Sequence, residues 1–135
     1  MIGDSTMANK DISGGKMERG WGMMLKNFFT EDVIVDNHAL NGRSSKSFIS
    51  EGHWQKVVEK IKPGDYVFIQ FGHNDEKDDP KRHTDPGTTF DENLRKFVKE
   101  TRMRGGIPVL FNSVVRRIFT NSTTAVADAI KQFAK

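Results

Sequence analysis

Residues 66–75 read YVFIQFGHND, an apolar and aromatic run that ends in a glycine followed by polar groups. Pro63-Gly64 stands before this run and Gly72 stands after it, and such breakers bound a regular element on both sides. A short, nearly continuous run rich in aromatic and β-branched side chains is typical of a buried strand. The stretch therefore predicts a strand of a parallel sheet over 66–71, with a polar turn at its carboxyl end.

Apolar residues recur at helical spacing elsewhere in the chain. Side chains at i, i+3, i+4 and i+7 form one stripe of an amphipathic helix, and such stripes usually pack into a core. The predicted helices are marked by Trp21, Met24, Leu25 and Phe28; by Trp54, Val57, Val58 and Ile61; by Phe90, Leu94, Phe97 and Val98 within Thr89 to Arg104; and by Val126, Ala129, Ile130 and Phe133 within Ser122 to Ala134. Thr89-x-x-Glu92 predicts a capping box on the third helix, and Gly105-Gly106 predicts its end.

Further strands are predicted around the central one. They are Ile2 before Gly3, the β-branched run Val33-Ile34-Val35, and Ile107 to Phe111 after the third helix. The alternation of strands and helices favours an α/β fold, with three layers (α/β/α) around a parallel, flavodoxin-like sheet. We expect this sheet to be incomplete, with about four strands. Residues 1–135 show no repeat or linker and predict a single, partial domain.

Polar groups follow several of these strands. Gly3-Asp4-Ser5, Asn41-Gly42 and Gly72 to Asn74 each lie just past the carboxyl end of a predicted strand. In open parallel sheets, ligands bind beyond the carboxyl ends of the strands. The pattern therefore predicts that these segments meet at one edge of the sheet.

The words IGDSTM, GWG at Gly20 to Gly22, NHALNGRSSKSFI, FIQFGHNDEK and PVLFNSVVRR resemble the SGNH (GDSL-type) hydrolase superfamily, in particular its rhamnogalacturonan acetylesterase branch. The resemblance implies that Ser5 is the nucleophile of an ester acyl transfer. It also implies an oxyanion hole made by the Ser5 and Gly42 backbone N–H groups and the Asn74 side-chain amide. An Asn amide donates without a charge that would attract competing anions.

The family's usual base is missing from this chain. The resemblance implies a late Asp-x-x-His segment in which the His deprotonates the serine, yet no histidine follows His83 and Asp128 stands in an Ala-Asp-Ala context. We expect chemistry in this chain alone to be severely impaired, since an unassisted serine is a weak nucleophile. We do not expect any of His38, His53, His73 and His83 to serve as the base. The short stretch before Gly3 and the missing base together predict a core fragment trimmed at both ends.

Composition limits the classes of partner. The net charge is +3, but the cations are scattered among acids rather than gathered on one stripe, so we expect no nucleic-acid binding. No stretch is apolar enough for a membrane helix, and we expect no membrane partner. The absence of cysteine excludes thiolate metal sites, and we expect no metal and no cofactor. The sequence leaves the cell compartment open, while the resemblance suggests a secreted or periplasmic protein.

The loop from Asp75 to Gly87 is rich in acids. Its spacing does not fit a calcium loop, and Lys77, Lys81 and Arg82 would repel a cation. We expect a solvated loop at the rim of the site, whose cations could contact a polyanionic, pectin-like substrate. A nucleotide-binding flavodoxin-like reading is weakened by the lack of a Gly-rich phosphate loop.

Two hypotheses of function follow. The first is a serine esterase that deacetylates a plant cell-wall polysaccharide or a small ester, with its base supplied by residues absent here or by a partner chain. The second is a catalytically inactive SGNH-fold fragment that binds carbohydrate or forms a homodimer through exposed sheet edges. Hydrolysis of a small acetyl ester that disappears with Ser5→Ala would separate them.

Overall fold

A computed structural model describes residues 1–114 and shows a small parallel sheet. Its strands are β1 (Ile2–Gly3), β2 (Tyr66–Gln70) and β3 (Ile107–Leu110), in the order β1-β2-β3. The register pairs Ile2 with Ile69 and Val67 with Pro108. The prediction of an α/β fold with a parallel sheet is confirmed.

The helices are α1 (Trp21–Met24), α2 (Ser45–Ser50), α3 (His53–Val58) and α4 (Thr89–Met103). Short 3-10 turns cover Ser13–Gly15 and Leu25–Phe28. Within residues 1–114, no helix is both long and apolar enough to cross a membrane.

Alternate residues of β2 face opposite sides of the sheet, as a strand requires. Val67, Ile69 and Phe71 pack with α2, α3 and α4 in a core that includes Phe48, Trp54 and Phe97. On the other side, Phe68 contacts the Phe111 ring at 5.1 Å between centroids, and Phe111 contacts Trp21 of α1 at 5.3 Å. The sheet thus has helical segments on both faces.

The third predicted helix is confirmed as α4, with Phe97 fully buried. It ends where expected: Gly105 has a φ of +78°, its N–H donates to the Arg102 carbonyl, and the Gly106 N–H donates to the Thr101 carbonyl. This is the Schellman pattern, for which glycine is preferred because a side chain disfavours positive φ. The predicted capping box at its start is wrong, because Thr89 lies inside the helix and its hydroxyl accepts from the Asp85 N–H instead.

The predicted strand Val33-Ile34-Val35 is also wrong. This segment forms no strand, and Ile34 is 89% exposed. The chain approaches β1 slightly later, where the His38 and Leu40 N–H groups donate to the Met1 and Gly3 carbonyls at 2.9 and 3.0 Å. The segment alongside β1 therefore runs parallel to it without completing a ladder.

The first predicted helix is shorter than its apolar stripe. Trp21 and Met24 lie in α1, but the chain then tightens into a 3-10 turn, and Phe28 is 80% exposed. The second stripe is confirmed in α3, where Trp54, Val57 and Val58 are buried. Helix α2 was not predicted, and the predicted helix from Ser122 to Ala134 lies outside the described residues.

Candidate active site

Ser5 lies on a tight turn directly after β1. The buried Asp4 carboxylate accepts hydrogen bonds from the Thr6 N–H (2.9 Å) and the Thr6 hydroxyl (2.8 Å). The Asp4 carbonyl accepts from the N–H groups of Met7 and Ala8. These bonds fold the chain sharply around Ser5, a half-buried residue whose hydroxyl forms no hydrogen bond within residues 1–114.

The Gly20-Trp21-Gly22 segment packs against this turn. A Cβ atom on Gly20 would lie 2.0 Å from the Ala8 carbonyl oxygen, and one on Gly22 would lie 2.6 Å from the Met7 carbonyl oxygen. Between them, the Trp21 N–H donates to the Thr6 carbonyl at 2.9 Å. Both glycines are needed because the two backbones touch.

Gly42 stands at the third position of a turn that the Arg43 N–H closes onto the Leu40 carbonyl. Its φ of +75° is the value that a type II turn requires at this position, where glycine is favoured. The Gly42 N–H makes no hydrogen bond within the described part of the chain. Helix α2 begins immediately afterwards and is capped by the Ser44 side chain, which accepts from the Ser47 N–H.

Asn74 follows β2 and is 3% exposed. Its amide nitrogen donates to the Arg43 carbonyl at 3.0 Å, next to Gly42. The intervening Gly72 has a φ of +144°, and a Cβ atom there would lie 2.7 Å from the Ser113 side chain. The close approach of the β3 loop therefore requires glycine before Asn74.

The structure brings the loops that carry Ser5, Gly42 and Asn74 to one edge of the sheet. The Leu40 N–H donates to the Gly3 carbonyl, and the Thr6 hydroxyl oxygen, whose proton goes to Asp4, lies 3.0 Å from the Gln70 side-chain oxygen. The Gln70 side-chain oxygen accepts from the Trp21 indole N–H at 2.6 Å. Gln70 was not singled out from the sequence, although it is the last residue of β2 and lies at the centre of this edge.

The histidines bond elsewhere. His38 contacts Asp36, His53 contacts Glu51, and His83 contacts Asp85, each at 2.7 to 3.2 Å. His73 contacts the Val114 carbonyl. Among residues 1–114, none of the four forms a hydrogen bond with Ser5.

Asp75 corrects one expectation, because it is not part of a solvated loop. Its side chain is 3% exposed and accepts from the Ser45 N–H, the Ser45 hydroxyl, the Gly72 N–H and the Thr84 hydroxyl. Burial raises the pKa of the Asp75 carboxyl, and these donors act in the opposite direction. The signal in the sequence was its position beside Gly72 and Asn74, but the neighbouring acids obscured it.

The rest of this loop is more open. Asp79 pairs with Arg82 at 2.6 Å, and Asp85 and Glu76 are exposed. Within the described range 1–114, no three His, Cys, Asp or Glu side chains cluster in a way that could hold a metal ion.

Known proteins are similar to this chain in sequence and in fold. The model of the GDSL-like lipase/acylhydrolase family matches residues 1–135. The chain is 36% identical to the probable rhamnogalacturonan acetylesterase YesY of Bacillus subtilis over 99% of this chain and 64% of that protein. It is 40% identical to the rhamnogalacturonan acetylesterase RhgT of the same species over 100% of this chain and 59% of that protein.

The crystal structure of the Bacillus subtilis protein YxiM superimposes with a TM-score of 0.76 at 28% identity, over 98% of this chain and 39% of that one. The chain thus spans 64% and 59% of the lengths of the two acetylesterases. Because the family model matches the chain from residue 1 to residue 135, the chain belongs to the GDSL-like lipase/acylhydrolase family, the SGNH hydrolases that its motifs resemble.

Proposed function

We propose that this chain carries the nucleophile and the oxyanion hole of a serine esterase that removes acetyl groups from a pectin-like or rhamnogalacturonan-like carbohydrate. One observation supports this most directly: the Ser5 turn, the Gly42 turn and the Asn74 amide lie side by side at the carboxyl edge of a parallel sheet. That edge is where ligands bind in such sheets. The names of the two acetylesterase relatives support the choice of substrate.

In the proposed reaction, the Ser5 oxygen attacks the carbonyl carbon of the acetyl ester while a base takes the hydroxyl proton. The carbonyl oxygen becomes negative and accepts hydrogen bonds from the Ser5 N–H, the Gly42 N–H and the Asn74 amide. The bond between the acetyl carbon and the sugar oxygen then breaks, and the base gives its proton to that oxygen, which leaves as the sugar alcohol. Water attacks the acetyl-serine in the same way and releases acetate.

The base is the part that residues 1–114 do not offer. Every histidine there bonds to an acid or to a backbone carbonyl away from Ser5. We assign the base to residues outside this sequence or to a partner chain. The oxyanion donors can by themselves leave a residual rate.

The test is hydrolysis of p-nitrophenyl acetate by the purified chain, Ser5→Ala and Asn74→Ala, each confirmed as folded by circular dichroism. With free imidazole supplied as the missing base, we expect Ser5→Ala to reduce turnover to the imidazole background and Asn74→Ala to reduce the rate above that background by about 100-fold or more. Free imidazole, added as an external base, should raise the rate of the parent above that of Ser5→Ala, which corrects for the reaction of imidazole with the ester. Equal rates in all three proteins, with and without imidazole, would refute the proposal.

The substrate is tested separately. We expect acetate release from acetylated rhamnogalacturonan to exceed release from acetylated xylan at matched acetyl content. An equal rate on both polymers would refute the proposed preference and leave the esterase itself intact.

A second candidate is an inactive, self-associating fragment. It is favoured by the outer edge of β3, which pairs with no further strand within residues 1–114, and by Leu110 there, which is 53% exposed. Unpaired edges invite pairing with another chain. Sedimentation that shows a concentration-dependent dimer, together with no esterase rate, would favour this candidate over the first.

A further inference from the structure

Asp75 is a buried acid that has no basic partner among residues 1–114. It is 3% exposed, and within the described part of the chain burial and hydrogen bonds, rather than a charged group, shift the pKa of its carboxyl. A buried carboxylate is costly, and apolar side chains of similar volume often replace buried charges without loss of stability. Its presence beside Asn74 therefore calls for a role other than packing.

The four groups that bond to the carboxyl all donate to it. The Ser45 N–H lies 3.0 and 3.2 Å from its two oxygens, the Gly72 N–H lies 3.1 Å away, and the Thr84 hydroxyl lies 3.0 Å away. The Ser45 hydroxyl completes the set and in turn accepts from the Asn93 side chain of α4 at 3.0 Å. Only a group that accepts hydrogen bonds through both of its oxygens suits this site. The side-chain amide of an asparagine would turn its N–H groups toward another donor.

Asn74 and Asp75 are consecutive residues that bind the two ends of the segment 43–45. Asn74 donates to the carbonyl of Arg43, and Asp75 accepts from the N–H of Ser45. Gly42 directly precedes this segment. Two adjacent side chains of the loop after β2 thus fix the backbone that presents the Gly42 N–H.

The same carboxyl also fixes its own loop. By accepting from the Gly72 N–H, it closes the turn 72–75 on which Asn74 stands. The carboxyl also accepts from the Thr84 hydroxyl, and the Asp75 backbone carbonyl accepts from the Thr84 N–H at 3.0 Å. These two bonds connect the turn 72–75 to the loop before α4. Both proposed oxyanion donors that lie outside the Ser5 turn are therefore held by one group.

We propose that Asp75 is a positioning residue whose carboxyl sets the separation between the Gly42 N–H and the Asn74 amide. It does so by hydrogen bonding to Ser45 on one loop and to Gly72 on the other. The inference rests on the proposed esterase function for its catalytic meaning, but its geometric content stands without it. Displacing a group by about 1 Å can cost about 100-fold in rate. We therefore expect a loss of turnover without direct contact between Asp75 and the substrate.

The test compares Asp75→Asn with Asp79→Asn, a control in the same loop whose acid pairs with Arg82 and touches neither turn. In 15N-labelled chain, we expect Asp75→Asn to shift the Gly42 backbone amide and the Asn74 side-chain amide signals, and Asp79→Asn to leave both in place. With p-nitrophenyl acetate and free imidazole as the external base, we expect Asp75→Asn to lower kcat about 10- to 100-fold with little change in KM, since the donors act on the transition state.

A folded Asp75→Asn whose two amide signals match the parent would overturn the inference, and so would a fall in kcat without any shift of those signals. If Asp75→Asn does not fold, Ser45→Ala decides, because it removes the hydroxyl bond and keeps the backbone N–H. It should shift the same two signals by a smaller amount, and unchanged signals would overturn the inference. A parent whose rate with free imidazole does not exceed that of Ser5→Ala would refute the proposed function, while the amide signals would still test the role of Asp75.

Discussion

Gly20→Ala tests whether the glycines of the GWG segment are required by contact with the Ser5 turn. Gly20 has φ −81° and ψ 141°, which alanine adopts without strain, so the effect of this substitution is purely steric. The added Cβ would lie 2.0 Å from the Ala8 oxygen, about 1.4 Å short of the 3.4 Å at which ordinary contact begins. It would also lie 2.7 Å from the Met7 carbonyl carbon.

The backbone it meets has little room to move. Met7 and Ala8 are 0% and 2% exposed and pack together with Ala39. The Met7 carbonyl also accepts from the Asn37 side chain at 3.0 Å. Overpacking a rigid site typically costs about 1–3 kcal/mol, and we expect Gly20→Ala to lose about 3 kcal/mol of unfolding free energy.

The assay is urea unfolding followed by tryptophan fluorescence and circular dichroism, with Gly14→Ala as the matched control. Gly14 has open space around it and a φ of +65°, so alanine there meets only backbone strain, about 1–2 kcal/mol. A Gly20→Ala variant no less stable than Gly14→Ala, at an unchanged m-value, would show that the two backbones are not in the contact described.

Two further predictions concern buried polar groups. The Thr101 hydroxyl is buried and has no hydrogen-bond partner among the described residues. We therefore expect Thr101→Val to raise the unfolding free energy by about 1 kcal/mol and Thr101→Ser to give no such increase. A destabilised valine variant would contradict this. Burial raises the pKa of Asp75 above 3.8, so the folded chain binds this proton more readily than the unfolded chain, and the stabilisation is present below 3.8 and lost as the pH rises through the folded value. The difference in unfolding free energy between the parent and Asp75→Asn should therefore fall over that window in urea titrations at closely spaced pH, and a difference that grows with pH would be inconsistent with the raised pKa.

Periodicity was informative where a stripe ended up in the core. The stripes that contain Trp54 and Phe97 correctly predicted α3 and α4. These two side chains pack against the sheet and against each other, with ring centroids 4.9 Å apart. The same reasoning failed at Phe28 and Val33 to Val35, whose apolar side chains have no partner layer within the described residues and stay partly or largely exposed. Apolar spacing alone does not say whether a partner surface exists.

Local chemistry explains the elements that the stripes did not predict. Helix α2 is short and serine-rich, and it forms because Ser44 and Ser47 cap each other and Ser45 is bound by Asp75. That last bond joins residues far apart in the sequence, so no local pattern reveals it. For the same reason, the positions of Ser5, Gly42 and Asn74 past strand ends could be predicted, while the group that holds two of them together could not.

The unequal strand pairing suggests an order of folding. The β2–β3 pair aligns four positions across the crossover that contains α4, residues 71–106, whereas β1 aligns only two positions with β2 across the longer stretch 4–65. Pairing β1 with β2 closes the longer loop, which costs more conformational entropy, and it aligns fewer residues than pairing β2 with β3. We therefore expect β1 to dock after the β2-α4-β3 unit has formed. The Ser5 turn would then be the last part of the site to assemble and the first to open, and amide exchange at Ser5 and Thr6 should require less than the free energy of global unfolding.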